Sequence, residues 1–346
     1  MPPNKSNGQT SRKKASGAAS GGRKPARKAK QQTKVLTALI NLFVLAAVLA
    51  GIYIANIPAD SSSGDRTASS AHPQQSRIPA NKGTSTGKES DEKLEVHFID
   101  VGQGDSTLVV TPSGETILID AGQNNKGELV VDYLKELGID RLDAVVATHP
   151  DADHIGGLDI VVNKLDVKSV YAPRVSHTTQ TYKDFLNAVK HKGLTIKAAR
   201  SGSSLPLSEE VSARFAAPVN SYGDNFNEWS AVLRLDYGDT SFLFTGDAEQ
   251  ESEADMLTSG FKLTADVLKV GHHGSRTSSS QAFLNAVKPR YAVISSGTGN
   301  KYGHPHDIIL KRLAKFGASV YRTDKQGSVV AYSNGREIWM TTDKGA

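Results

Sequence analysis

The sequence predicts a mixed α/β fold in which two sheets pack face to face with helices on their outer surfaces, a four-layer αββα sandwich preceded by a single transmembrane helix. Three observations predict it. Strand-like runs fall into two groups, each interleaved with segments whose apolar residues recur at helical spacing, so each sheet needs one face for the other sheet and one for helices. Three apolar runs, "LDAVVA", "TSFLF" and "ADVLKV", each lead into a loop of imidazoles or carboxylates, as strands do when they deliver a site at a sheet edge. Residues 35–57, "VLTALINLFVLAAVLAGIYIANI", are 23 uncharged residues, enough at ~1.5 Å per residue to cross a hydrocarbon core of ~30 Å.

Ahead of that run, residues 1–34 carry ten Lys and Arg and no acid. They read as a disordered basic tail, and the bias of short cytoplasmic segments toward Lys and Arg puts the N-terminus in the cytoplasm and the remainder outside the cell. A cleaved signal peptide would have an apolar core of ~7–15 residues behind a short leader; both segments here exceed that, which favours a retained anchor. With the tail set aside, 31 basic residues face 36 acidic ones. The formal charge of +5 therefore belongs to the tail and gives no reason for the folded part to bind a polyanion. Residues 58–92 are rich in Ser, Thr, Pro and Gly with little apolar surface to offset chain entropy, and read as a flexible linker. Cysteine is absent, so disulfides, thiolate metal sites and a cysteine nucleophile are excluded.

The folded domain is expected over 93–346. "LEVHFID" alternates as a strand; "STLVV" and "ETILID" flank the turn "TPSG" as a hairpin; "GELVVDYLKELG" has helical spacing and a closing glycine. "LDAVVA" is a short buried strand. In the second half "VSARFAAP", "SAVLRLDYG" and "TSFLFTGD" read as strands, "AEQESEADMLTSG" as a helix, and "ADVLKVGHHGS" as a strand entering a loop. A helix at 281–287, the strand "YAVISSG", the helix "HDIILKRLAKFG" and the strands "SVYRTD", "GSVVAYS" and "EIWMTT" complete the chain.

After "LDAVVA" comes "THPDADHIGG", with His149, Asp151, Asp153 and His154 in one turn. Their spacing aims them at two neighbouring points, the pattern of two cations; the alternative use of Asp151 or Asp153 is to cap a helix starting near Ile155. Asp247 ends the strand "FLFTGD", and His272 and His273 follow "VLKVG". A carboxylate such as Asp247 can use both oxygens to bridge metals ~3.5–4 Å apart, and neutral imidazole suits zinc or manganese. His97, His177 and His191 read as structural or exposed, Trp229 and Trp339 as packing.

The motifs "FIDVGQGDSTLVVTPSGETILIDAG", "THPDADHIGGL", "FLFTGDAE", "LKVGHHGSRTSSS" and "NKYGHPH" resemble the metallo-β-lactamase fold superfamily, most nearly the extracytoplasmic hydrolase domain of ComEC-type competence proteins. The resemblance runs from about Leu94 to the C-terminus and implies a metallo-β-lactamase sandwich holding two divalent metal ions, zinc or manganese. His149 and Asp151 would serve the first ion, Asp153, His154 and one of His272 or His273 the second, and Asp247 would bridge. Asp120 would brace the loop from beneath, and Asp105 would stand beside the site. Asp153 and His304 are the candidate catalytic residues, the first orienting a metal-held hydroxide, the second aiding the leaving group. Ser230, Ser275, Asn300, Lys301 and His306 are candidate substrate contacts. The chain departs from the superfamily motif twice: Asp151 replaces a histidine, and no histidine lies between Thr195 and Asp247 as a distant ligand. Asn225, Asn227 or Ser230 would then supply weak oxygen contacts, and an oxygen-rich first site favours the harder ion, manganese. The implied function is phosphodiester hydrolysis, with DNA or another phosphodiester as partner and the membrane as second partner through the N-terminal helix. Small phosphoesters, lactones, or a non-catalytic DNA- or partner-binding module are the alternatives.

Overall fold

In the computed structural model, residues 93–345 are described. Strands β1 (Leu94–Phe98), β2 (Thr107–Val110) and β3 (Thr116–Ile119) form an antiparallel meander. Helix α1 (Gly127–Glu136) leads through β4 (Arg141–Leu142) to β5 (Ala144–Val146), followed by the short helices α2 (Ala152–Ile155) and α3 (Leu158–Lys164). Then come β6 (Asp166–Val167), β7 (Val170–Ala172), α4 (Gln180–His191) and β8 (Ile196–Ala198). The second group holds β9 (Ser204–Leu205), β10 (Val211–Phe215), β11 (Leu233–Tyr237), β12 (Thr240–Phe244), α5 (Gln250–Thr258), β13 (Val267–Lys269), α6 (Gln281–Val287), β14 (Tyr291–Ile294), α7 (Asp307–Lys315), β15 (Ser319–Arg322) and α8 (Thr323–Gln326). Strands β16 (Val329–Ser333) and β17 (Ile338–Thr342) close the chain.

One sheet runs β17-β16-β1-β2-β3-β5-β7-β8 and the other β15-β14-β13-β12-β11-β10-β9, with β4 and β6 paired apart. Alternation along each strand divides the apolar residues into layers. Val96, Phe98, Ile117, Phe215, Phe242, Val267 and Val293 fill the space between sheets. Leu118 and Val145 turn outward onto Val130, Leu134, Val161 and Phe185 of α1, α3 and α4. Leu243 and Leu268 turn outward onto Met256, Phe283 and Ile309 of α5, α6 and α7. The four-layer αββα sandwich expected from the sequence is therefore present.

Two features differ from the expectation. The closing strands β16 and β17 do not extend the second group: β16 pairs antiparallel with β1, Leu94 opposite Ser333, and so completes the first sheet. Residues 158–205, which carry no reading in the sequence beyond the loop motif, form α3, α4 and β6 to β9. Among the described residues no helix is long and apolar enough to cross a membrane. The expected tail, transmembrane helix and linker, 1–92, lie outside the described residues.

Candidate metal centre

Parallel pairing aligns the carboxyl ends of β3 and β5 in one sheet and of β12, β13 and β14 in the other. The residues just beyond those ends meet at one edge of the sandwich. Asp120 follows β3, His149 to His154 follow β5, Asp247 follows β12, and His272 and His273 follow β13.

Asp247 is the meeting point. Its Oδ1 lies 3.2 Å from His154 Nε2, and its Oδ2 lies 3.4 Å from His273 Nε2 and 3.7 Å from His272 Nε2. His273 Nε2 is also 3.4 Å from Asp153 Oδ2 and 3.4 Å from His154 Nε2. Atoms that each sit ~2.0–2.2 Å from one cation are separated by about this much. His149 Nε2 stands 3.8 Å from Asp151 Oδ2 on the adjoining side. Asp151 occupies the position before α2 yet its side chain makes no capping hydrogen bond, so the carboxylate is not engaged in the alternative role.

The outer nitrogens fix the tautomers. His154 Nδ1 donates to Asp120 Oδ2 at 2.8 Å, and His273 Nδ1 donates to the Ser295 carbonyl at 3.0 Å. With a cation bound, each Nε2 would turn its lone pair to it beside Asp247, as metal-ligating imidazoles require. Asp120 in turn accepts from the Thr148 amide at 2.9 Å and hydroxyl at 2.6 Å, which makes it the brace beneath the loop. Asp105 meets the Nδ1 side of both rings, 3.2 Å from His273 and 3.8 Å from His154, and pairs with Lys269 Nζ. Although Asp105, His154, Asp247 and His273 form a compact group able to hold a metal ion, that approach from behind suits Asp105 to bracing and leaves the inner position to Asp153.

The electrostatics call for added positive charge. Burial opposes ionisation of His154, but the carboxylates of Asp247, Asp105 and Asp120 outweigh it and hold its pKa well above the ordinary value; Asp247 and Asp105 do the same for His273. Conversely, burial opposes ionisation of Asp247, yet His154 and His273 hold its pKa well below the carboxylate range. His149 is pushed down to about 3 by burial and by His154, against the weaker opposing pull of Asp247, Asp153 and Asp105. The buried atoms His149 Nε2 and Asp247 Oδ1 have no hydrogen-bond partner. An imidazole nitrogen and a carboxylate oxygen left orphaned in one site fit a divalent cation, which takes lone pairs and asks for no proton.

The two candidates after β13 separate here. His273 is fully buried among the inner atoms, whereas His272 is on the rim with its Nδ1 2.7 Å from Glu249 Oε1. Both have positive φ, 46° and 52°, a costly conformation for side-chain-bearing residues that turns consecutive imidazoles toward one carboxylate. His304 faces the same space, its ring centroid 5.4 Å from His272 and 6.2 Å from His273. Its pKa is lowered to about 4 by burial and these imidazoles, and its Nδ1 is unpartnered.

Several expected substrate contacts are engaged elsewhere. Ser230 is fully buried and its Oγ accepts the Asp247 amide at 3.0 Å, so it supports Asp247 from behind instead of facing a substrate. Ser275 is buried with its Oγ 2.9 Å from Thr277. Asn300 spends its carboxamide knitting its own loop, donating to Gly297 and His304 carbonyls and accepting from the Tyr302 and His304 amides. His306 takes the Arg276 amide at 3.1 Å. Lys301 alone of these is free at the surface, its ammonium over the Tyr302 ring. Of the weak oxygen donors, Asn227 reaches Glu249 and His272 at 3.4 Å, while Asn225 is exposed. Sequence reasoning missed Lys269, Glu249 and Thr148. For Lys269 a signal existed: it lies two residues beyond inward-facing Val267 in a three-residue buried strand, hence on the same inner face.

An αββα sandwich with imidazoles and carboxylates converging at one edge is the architecture of metal-dependent hydrolases, and residues 99–298 match the metallo-beta-lactamase superfamily. The chain belongs to that superfamily. It is 33% identical over 252 residues to ComE operon protein 3 of Bacillus subtilis (strain 168), covering 68% of this chain and 32% of that protein. It is 34% identical over 232 residues to competence protein ComA of Neisseria gonorrhoeae, covering 66% and 31%. The chain thus spans about a third of the length of these curated relatives. Among solved structures, the metallo-beta-lactamase fold protein YhfI from Bacillus subtilis is similar at a TM-score of 0.43 and 14% identity, covering 71% of this chain and 99% of that one.

Proposed function

We propose that this chain is a metal-dependent phosphodiesterase that cleaves DNA outside the cell, tethered to the membrane by residues 35–57. The observation that carries the reading is the placement of Asp247 between His154 and His273, with Asp153 alongside, their ligand atoms 3.2–3.4 Å apart. Asp105, Asp120, Asp151, Asp153 and Asp247 gather here around Lys269 and the imidazoles, a carboxylate-rich setting whose negative charge divalent ions would offset. Asp153, His154, Asp247 and His273 would hold one, and His149, Asp151 and Asp247 the other, whose richer oxygen set favours manganese.

Bound there, divalent cations lower the pKa of water and offset charge on a phosphoryl group. The protein's own residues then orient and support. Asp153, its pKa held low against burial by His273 and His154, stays an acceptor at any physiological pH. His304 is neutral, so it carries one ring N–H with which to hold a phosphoryl or leaving oxygen. Asp120, Asp105 and Ser295 keep the two inner imidazoles in one orientation, and Lys301 offers a charge to phosphate at the mouth. DNA is favoured over lactones and small phosphoesters because one relative carries the name of a competence protein.

The test is direct. Purified protein with manganese is expected to degrade single-stranded DNA, and Asp247→Ala to reduce the rate by at least ~10³-fold. If DNA and bis(p-nitrophenyl) phosphate both stay intact with manganese, zinc, magnesium and cobalt, the reading is wrong.

A further inference from the structure

A cleft of about 290 Å³ opens beside the metal centre, lined by Gln123, Asn124, Asn125, Ala152, Asp153 and Tyr302. Its lining thus joins a candidate ligand, Asp153, and an exposed aromatic ring, Tyr302. Its volume lies near the lower end of ligand pockets, roughly 300 Å³, room for one nucleoside-sized unit and too little for a duplex. The polar lining is uncharged apart from Asp153. Carboxamides present a donor and an acceptor side by side, the complement of a base edge. Asn124 is held ready, exchanging hydrogen bonds with Thr181 at 3.1 and 3.2 Å.

Among the described residues two aromatic side chains are largely exposed, Tyr302 and Trp339. Trp339 lies on β17 against Tyr332, centroids 5.6 Å apart at 17°, and does not line the cleft. Tyr302 stands instead at the outer end of a stair of rings: 5.6 Å and 22° to His304, then 6.2 Å and 28° from His304 to His273. Its backbone is fixed by Asn300, whose Oδ1 accepts the Tyr302 amide at 3.2 Å. A platform at defined height beside a phosphate-cleaving centre, facing carboxamides, is the arrangement that takes an unpaired base.

We propose that this cleft is a nucleobase subsite, in which Tyr302 stacks the base flanking the scissile phosphate while Gln123, Asn124 and Asn125 meet its edge; this rests on the phosphodiesterase reading. The Lys301 ammonium lies 5.0 Å from the Tyr302 ring centroid and yields the ring when the base arrives, freeing that charge for the next phosphate. Stacking on an aromatic platform changes affinity by roughly tenfold, more than an exposed cation above the ring contributes.

The full-length protein, Tyr302→Ala and Tyr302→Phe are compared for binding a single-stranded oligonucleotide carrying 2-aminopurine, by quenching without added metal, and for cleavage with manganese. Tyr302→Ala is expected to weaken binding and raise KM about tenfold with kcat little changed, Tyr302→Phe to match wild type, and an abasic oligonucleotide to bind wild type and Tyr302→Ala equally. Equal binding of the base-bearing strand by wild type and Tyr302→Ala would overturn the subsite. The two readings separate: Tyr302-dependent quenching without cleavage sinks the phosphodiesterase and keeps the subsite, and cleavage indifferent to Tyr302 does the reverse.

Discussion

Lys269 and Asp105 form an ion pair with almost no solvent contact, behind the imidazoles of His154 and His273. Removing one member strands the other charge in a dry interior, whereas removing both does not. Lys269→Met is therefore expected to cost about 3–5 kcal/mol in urea unfolding, and Lys269→Met with Asp105→Asn to recover most of it. Equal losses in single and double variants would show the pair to be uncoupled. The same residues show what a sequence reveals of a site. Asp120 came from the family resemblance, whereas His149, Asp153, His154, Asp247 and the pair His272 and His273 were legible because a buried apolar strand must set its next polar residue at a sheet edge. Lys269 was not, because a lysine within a strand reads as solvent-facing until the parity from Val267 is followed. The choice between His272 and His273 was hidden in backbone angles, since two adjacent histidines give no clue which ring turns inward.

At the scale of elements, the centre depends on loops held by backbone contact. Gly104 in the loop after β1 has φ +137°, and a Cβ there would lie 2.3 Å from the Asp153 carbonyl oxygen. Gly104→Ala is expected to cost 2 kcal/mol or more, at the order of strained backbone plus overpacking (~1–3 kcal/mol each), and to weaken manganese binding by moving Asp153. Gly138→Ala, at φ +75° with nothing within 4 Å, should lose only ~1 kcal/mol and bind metal normally. Indistinguishable metal affinities for both variants would remove the link between Gly104 and the centre.

Helix α5 carries a second dependence. Its first amides, Glu249, Glu251 and Ser252, donate to the buried Glu228 carboxylate at 2.8–3.0 Å, a cap supplied from another segment. Glu253 of the same helix accepts the Ser279 and Ser280 amides, anchoring the loop that follows His273. Burial, opposed by those amides and reinforced by Glu228, raises the Glu253 pKa to about 7 from 4.5. The folded state thus holds this proton more tightly than the unfolded chain. The stabilisation is complete below the ordinary carboxyl pKa, declines as pH rises toward 7, and is absent above. Between pH 5 and 8 the stability of Glu253→Gln relative to wild type should rise by up to about 3 kcal/mol. A difference that does not change with pH would refute the shift.

Across the whole molecule, the sandwich was legible where apolar spacing is local: β1 to β3, β5, β10 to β15 and helices α1, α5, α6 and α7 stand where their patterns put them. Other parts were not, among them helix α4, strand β8 and the pairing of β16. Helix α4 buries only Phe185, Ala188 and Val189, a thin stripe, and β8 is largely exposed. The return of β16 to β1 is a pairing between opposite ends of the domain that no local pattern encodes. It matters for function, because it ties the last strands to the sheet that carries Asp120 and the histidine loop.

Whether the two sheets meet to hold divalent cations at Asp247 is tested most directly by the metal content of the purified full-length protein, equilibrated with manganese or zinc and compared with Asp247→Ala. About two ions per chain in the wild type, lost in the variant while its fold persists by circular dichroism, is the expected result. A wild-type protein that retains no ion, or a variant that retains as many, would contradict it.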